Sequence, residues 1–307
     1  MATRPFKQVD VFSATPYLGN PLAVVLDGTG LSSEEMQHFA QWTHLSETTF
    51  LLPPSPEGAA AGADYRVRIF TPAYELPFAG HPTLGSCHAW LQGGGQPRAP
   101  EQIVQECAKG LVRIRRDGTR LAFAAPALAR STPDPALLEQ VRQALGLLPG
   151  QIQAAQLLDN GPVWLSLLLD SVDTVLALSP NHMALKQLGY LVGVCAIEPA
   201  SHASVLIARS NREARAFAPP SAASAGPTLE VRAFTAEVGV DEDPVTGSLN
   251  ASLAQWLIAE SLMPKAYLAA QGTCVQRAGQ VHVMRDGAGQ VWVGGDSVTC
   301  IDGSVTL

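Results

Sequence analysis

The chain has few cysteines, little charge and no long apolar run, and each shortage narrows what it can be. Its five cysteines (Cys87, Cys107, Cys195, Cys274 and Cys300) are odd in number, scattered and without CxxC spacing. That argues against a disulfide framework and fits free thiols in a reducing compartment. No Lys/Arg run stands out and the formal charge is −7, which argues against a nucleic-acid footprint. No apolar run is long enough to span a bilayer, and the opening Met1-Ala2-Thr3-Arg4-Pro5-Phe6 lacks an apolar signal core. A glycine-rich phosphate loop of the Rossmann or P-loop type is missing. His81 and His88 stand seven residues apart, and no third residue is spaced to complete a metal site with them. What is left is a soluble, cytoplasmic globular protein of ordinary apolar content, 47%. Its 307 residues suffice for two lobes with their own cores or for one large domain.

What the sequence does contain is a near-repetition. His81-Pro82-Thr83-Leu84-Gly85-Ser86-Cys87-His88-Ala89 reads against Asp243-Pro244-Val245-Thr246-Gly247-Ser248-Leu249-Asn250-Ala251, with Pro, Gly, Ser and Ala in register. Upstream, Arg68-Ile69-Phe70-Thr71 answers Arg232-Ala233-Phe234-Thr235, two residues out of step. Each copy reads as a strand, a short loop, then a polar residue and proline opening an apolar helix. Two copies half a chain apart predict two similar lobes, with His81 and Asp243 at equivalent places.

Short strand-like runs dominate both halves. Residues 6–12, 22–26, 48–52, 65–70, 103–107 and 111–114 read as strands in the first half. Residues 163–169, 190–197, 204–208, 230–234, 274–277, 281–284, 291–293 and 298–301 do so in the second. A helix is expected over Ser33–Thr43, where Ser32 and Glu35 fit a capping box. Others are expected over about Pro82–Leu91, Ala136–Leu145 and Pro244–Ala259. The last is apolar on nearly all sides, and such a helix is usually buried. The fold class is therefore α+β, with each lobe a curved mixed sheet closed around a central buried helix. The Pro/Ala-rich stretch 125–135 marks the boundary between a lobe of residues 1–125 and one of residues 126–307, whose last strand is free to pack back on the first. Residues 56–64 and 219–227 read as exposed loops.

Three features carry possible chemistry, and each also has a bland reading. Asp243-Pro244 suits an N-cap followed by proline in the first helical turn, which alone accounts for the pair. His81 is not a favoured cap, and Gly80 beside it suggests tight backbone or the close approach of a ligand. Gly-Ser near both helix starts offers free N–H groups and the Ser86 and Ser248 hydroxyls to an anion, or simply permits close packing. In Ser46-Glu47-Thr48-Thr49-Phe50, Glu47 opens a run of strand formers. A carboxyl in apolar surroundings has a raised pKa suited to acid/base work near neutrality, although Glu75, Glu237 and Glu242 are rivals. Cys87 aligns with Leu249 in the repeat, so it reads as core and not as a nucleophile.

The ordered set Val9-Asp10-Val11-Phe12, Gly19-Asn20-Pro21-Leu22-Ala23-Val24-Val25, Ser46-Glu47-Thr48-Thr49-Phe50, Gly80-His81-Pro82-Thr83 and Glu242-Asp243-Pro244-Val245-Thr246-Gly247-Ser248 resembles the phenazine-biosynthesis isomerase (PhzF-like) family. The likeness runs from near the start of the chain to Val293-Gly294-Gly295. It implies a diaminopimelate epimerase-like fold with the active site between the lobes. It further implies a cofactor-independent, metal-free isomerase that is commonly a homodimer. Glu47 matches the family's proton-shuttling glutamate, and His81, Asp243 and Ser248 match residues that orient substrate and assist proton movement. Ser46, Gly80 and Gly247 lie in matching motif positions.

The expected function is then movement of a proton within a small carboxylate-bearing metabolite. Glu47, His81 and Asp243 are the expected catalytic residues, and Ser46, Gly80, Gly247 and Ser248 hold the substrate. An amino-acid epimerase or racemase, or a non-catalytic small-molecule-binding protein, stands as the alternative.

Overall fold

A computed structural model describes residues 2–198 and 228–307. The first half of the chain forms β1 (Thr3–Val11), β2 (Asn20–Val25), α1 (Ser33–Thr43), β3 (Thr48–Leu52), α2 (Pro56–Ala60), β4 (Tyr65–Phe70), β5 (Glu75–Leu76), α3 (Gly80–Gln92), β6 (Gln102–Cys107), β7 (Gly110–Asp117) and β8 (Arg120–Ala124). The second half begins with β9 (Ala129–Ser131), α4 (Pro135–Leu145), β10 (Ile152–Asp159), β11 (Val163–Leu169), α5 (Val172–Ala177), α6 (His182–Leu188) and β12 (Leu191–Ile197). It continues with β13 (Leu229–Thr235), β14 (Val240–Asp243), α7 (Gly247–Ala259), β15 (Ala266–Gln271), β16 (Gly279–Arg285), β17 (Val291–Gly295) and β18 (Ser297–Thr306).

Strong local signals came through. Ser32 accepts from the Glu35 amide while the Glu35 carboxylate takes the Ser32 N–H, completing the capping box of α1. Asp134 caps α4, whose first residue is Pro135. Both motif helices are buried almost all round, as their lack of a wide polar stripe requires.

Each half repeats one pairing scheme. In the first, β1–β2 is antiparallel, β2–β3 parallel, β3–β4 and β4–β5 antiparallel, and β4–β6 parallel, followed by the antiparallel β6–β7–β8. The second copies it: β10–β11 antiparallel, β11–β12 parallel, β12–β13 and β13–β14 antiparallel, β13–β15 parallel, then antiparallel β15–β16–β17. The halves are stitched together twice. β8 pairs with β17 and β18 crosses to β1, while β9 pairs with β10 inside the second half. Among the described residues all 18 strands thus belong to one hydrogen-bonded sheet. It curves around α3 and α7, whose buried residues join one core cluster. A separate cluster under α4 to α6 fills the far side of the second half.

Several expectations need correcting. Helix α7 begins at Gly247 and not at Pro244, so Asp243 ends strand β14 instead of capping a helix. Helix α3 begins at Gly80, which puts His81 and Pro82 inside its first turn, where a proline lacks only an N–H that had no helical partner. Residues 56–64 are not wholly loop: Ser55 caps the short helix α2. Residues 273–275 form a 3-10 turn where a strand is expected, because Gly272 and Gln276 take left-handed backbone on either side. The expected strand 204–208 and loop 219–227 lie outside the described residues.

The register of the internal repeat also changes. Phe70 pairs with Glu75 across β4–β5, and Phe234 pairs with Glu242 across β13–β14. From each of these glutamates the chain runs five residues to the first residue of a helix, Gly80 or Gly247. The equivalent segments are therefore Glu75-Leu76-Pro77-Phe78-Ala79-Gly80-His81 and Glu242-Asp243-Pro244-Val245-Thr246-Gly247-Ser248. His81 corresponds to Ser248, and Asp243 corresponds to Leu76. Side chains agree with the ladder. Arg68 grips Glu75 through Nε and a terminal nitrogen at 2.8 and 2.6 Å, and Arg232 grips Glu242 likewise at 2.9 and 2.8 Å. Each guanidinium also lies 5.0 Å from the ring of the phenylalanine two residues on.

Candidate active site

The openings of α3 and α7 touch. A Cβ on Gly80 would stand 2.8 Å from the Gly247 Cα, and one on Gly247 2.9 Å from the Gly80 Cα, so the two backbones meet with no space for a side chain. This close approach is what glycine is needed for here, since neither residue has positive φ. Neither helix has a side-chain cap, so the first-turn N–H groups are not taken up by one. Sequence positions 167 residues apart are thus brought together at one point.

Glu47 reaches this point from the end of β3. Its Oε2 lies 3.4 Å from His81 Nε2, and both atoms are buried without a hydrogen-bond partner among the described residues. Burial pushes the Glu47 carboxyl up to about 7, against a smaller pull from the Ser46 hydroxyl. His81 is 4% exposed, and burial pulls its imidazole down to about 4, against opposing pulls from the Asp243 charge and the Pro21 carbonyl. The pair is therefore no ordinary ion pair. Near neutrality a neutral imidazole faces a carboxyl poised halfway between its two protonation states.

Asp243 joins through Asn20, the first residue of β2 and 1% exposed. The Asn20 amide donates to Asp243 Oδ1 at 2.9 Å and to the Val245 carbonyl at 2.9 Å, and its nitrogen lies 3.3 Å from His81 Nδ1. The second carboxylate oxygen of Asp243 accepts from the Thr246 hydroxyl, which in turn accepts from Gln271. Burial raises Asp243 to about 6; nearby His81 works against this and Glu47 adds to it. Ser248 is partly exposed beside the same opening, and Ser46 precedes Glu47 in the chain.

Of the residues singled out from sequence, Glu47, His81, Gly80 and Gly247 meet directly, and Asp243 is tied to His81 through Asn20. The rival glutamates are engaged elsewhere: Glu75 and Glu242 belong to the arginine pairs, and Glu237 is exposed. Cys87 is fully buried with its thiol pushed up to about 12 by burial, which makes it inert. Its counterpart in the corrected register is Ala254, not Leu249. Sequence reasoning assigned no role to Asn20, Thr246, Gln271, Asn160 or Trp164. Only Asn20 carried a signal, as an amide opening an otherwise apolar strand. A groove of about 470 Å³ lies on the β7–β8–β17–β16–β15 sheet between Arg115, Arg120, His282 and Trp292, and contains none of these residues. Among the described residues no group of three or more His, Cys, Asp or Glu side chains is placed to hold a metal ion.

The family model for phenazine biosynthesis-like proteins matches residues 9–303. The chain belongs to that family. Trans-2,3-dihydro-3-hydroxyanthranilate isomerase of Pseudomonas aeruginosa is 31% identical over 97% of this chain and 98% of its own. Antisense-enhancing sequence 1 of Schizosaccharomyces pombe is 34% identical over 99% of both. The crystal structure of a PhzF-family protein from Bacillus anthracis superposes over 100% of both chains with a TM-score of 0.79 at 21% identity. A probable proline racemase from Agrobacterium radiobacter shares the fold at a TM-score of 0.62 and 14% identity, covering 99% of this chain and 93% of that one. The PhzF-like protein described here is an isomerase with an α+β fold.

Proposed function

We propose that this PhzF-like isomerase moves a proton within a small carboxylate-bearing metabolite, without a cofactor, using Glu47 as general acid/base. The metabolite occupies the cleft where the α3 and α7 openings meet, between lobes of residues 1–125 and 126–307. Uncapped helix starts there carry partial positive charge and free N–H donors, which favour a carboxylate. Glu47 removes a proton from a carbon next to an activating group and returns it at another position of the same molecule. His81, kept neutral by burial, faces the Glu47 carboxyl and assists its proton movement by orienting it, and Asp243 accepts from a donor group of the substrate. Ser46, Gly80, Gly247 and Ser248 line the binding surface. In this reading the protein works in the cytoplasm as a homodimer.

The observation that carries the reading is the unpartnered, buried contact between Glu47 Oε2 and His81 Nε2 at 3.4 Å. Buried polar atoms are normally hydrogen-bonded, and unsatisfied ones concentrate where chemistry is done. A positioned acid/base contributes about 10²–10⁴ in rate. The Pseudomonas aeruginosa relative is named for trans-2,3-dihydro-3-hydroxyanthranilate, and that compound is the first substrate to offer. In deuterated water the product should carry solvent deuterium, and Glu47→Gln should lose about 10²-fold or more of turnover while keeping its fold. Turnover in the Gln variant equal to that of the natural enzyme removes Glu47 from the mechanism.

A further inference from the structure

Ser248, the second residue of α7, is held at two atoms from the β10–β11 hairpin. The Trp164 indole N–H donates to its hydroxyl at 3.2 Å, and the Asn160 side-chain amide donates to its carbonyl at 2.9 Å. Both donors come from buried residues, 2% exposed for Trp164 and 3% for Asn160. An indole N–H has no acceptor capacity, and a hydroxyl owns a single hydrogen. Ser248 Oγ is therefore the acceptor in the Trp164 bond, and its own hydrogen is left for another group. Among the described residues that hydroxyl has no other protein partner. Ser248 is partly exposed, and contact between Gly80 and Gly247 sets it across from His81, its counterpart on α3.

We propose that Trp164 is a positioning residue that makes the Ser248 hydroxyl a hydrogen-bond donor to the bound ligand, so that the ligand atom seated there is an acceptor, a carboxylate or carbonyl oxygen. A serine hydroxyl is otherwise ambivalent, able to turn toward a donor or an acceptor. With one of its two lone pairs taken by a buried N–H, the hydroxyl keeps its only hydrogen for the ligand, which favours an acceptor at this position. The device belongs to one lobe. Strand pairing makes Leu22 the counterpart of Trp164, and Leu22 has no donor to offer. The inference deepens the reading of the cleft as a carboxylate site and rests on it.

The test uses 2-aminobenzoate as an acceptor-bearing probe and benzylamine as a donor-only one, titrated by NMR into protein labelled with ¹⁵N at tryptophan. The Trp164 indole signal is assigned by its loss in Trp164→Phe. Saturable 2-aminobenzoate binding should shift that signal. Trp164→Phe and Ser248→Ala should each weaken the binding roughly 2- to 10-fold. The double variant should match Ser248→Ala within about twofold, because the indole acts through the hydroxyl. Benzylamine should bind natural protein and Trp164→Phe alike. Additive losses, unchanged 2-aminobenzoate affinity in Trp164→Phe, or no saturable binding by the natural protein overturns the proposal. If Trp164→Phe does not fold, Ser248→Ala decides alone: the indole signal that the probe shifts in the natural protein should move in the free variant and no longer respond to the probe, and a response like that of the natural protein overturns the proposal. Glu47→Gln separates the two readings. It should bind the probe normally, so undiminished turnover in that variant refutes the proposed reaction while leaving the Trp164 result intact.

Discussion

The two lobes share a strand order, an arginine–glutamate–phenylalanine cluster and a glycine at the helix opening, yet they use the cluster differently. Arg68 and Glu75 keep 24% and 34% of their side chains exposed, and the free edge of Arg68 reaches the Ser33 hydroxyl. Arg232 and Glu242 are only 5% and 7% exposed, and Arg232 also donates to the Val175 and Leu178 carbonyls at the end of α5. The first is a surface pair on a turn. The second anchors a helix and leaves no charge unanswered. The helix openings diverge in the same way, with His81 on one and Ser248 on the other. Strand pairing also makes Leu191 the counterpart of Glu47 and Leu76 the counterpart of Asp243. One lobe therefore brings the proton-holding pair and the other brings the carboxylate Asp243 and a hydroxyl. A repeated scaffold with unlike residues at its facing positions can hold a ligand asymmetrically, as a shift of a proton from one carbon to another requires.

The sharpest way to break the comparison is at the two arginines. Arg232→Ala leaves a buried Glu242 without its partner and should cost about 3–5 kcal/mol in urea unfolding. Arg68→Ala should cost about 1 kcal/mol or less, because solvent screens that pair. Equal losses would mean that the difference in burial has no energetic meaning.

The next effect concerns pH. The Glu47 carboxyl has an ordinary value of 4.5 and is raised to about 7 in the folded protein. Between those values the native state holds a proton that the unfolded chain has released, so its contribution to stability falls as pH rises from 4.5 to 7 and is level above that. Glu47→Gln should thus gain stability relative to the natural protein across this window, by up to about 3 kcal/mol. Parallel melting curves for the two proteins at pH 4.5 and 7.5 would refute the assigned environment of Glu47.

A smaller effect is expected where the lobes touch. Gly80→Ala and Gly247→Ala each force the helix openings apart and should cost about 1–3 kcal/mol. Gly303→Ala, where a Cβ meets nothing within 4 Å, should be close to neutral. Thermal unfolding of the three variants checks the order.

How much of this was readable beforehand depends on the range of the interaction. The capping box at Ser32 and Glu35, the Asp134 cap and the two helices without a polar face all follow from neighbours within a few residues. The start of α7 did not, because Asp243-Pro244 satisfies the local rules for a helix start while the ladder with Ala233 holds Asp243 in a strand. The repeat was visible but misaligned. The matching Pro, Gly, Ser and Ala letters favoured one register, and the Phe70–Glu75 and Phe234–Glu242 pairings impose another.

By itself the sequence determined that the chain is α+β, that two apolar helices are buried, and that Glu47, His81 and Asp243 stand in motifs of one family. Those conclusions need only composition, periodicity and short motifs, which are properties of neighbouring residues. Only the tertiary structure decided that Gly80 meets Gly247, that β18 crosses to β1 and β8 pairs with β17, and that Asn20 and Trp164 hydrogen-bond the groups beside them. Such facts depend on which distant strands share hydrogen bonds, and a ladder register between residues 100 or more positions apart leaves no local trace in the chain.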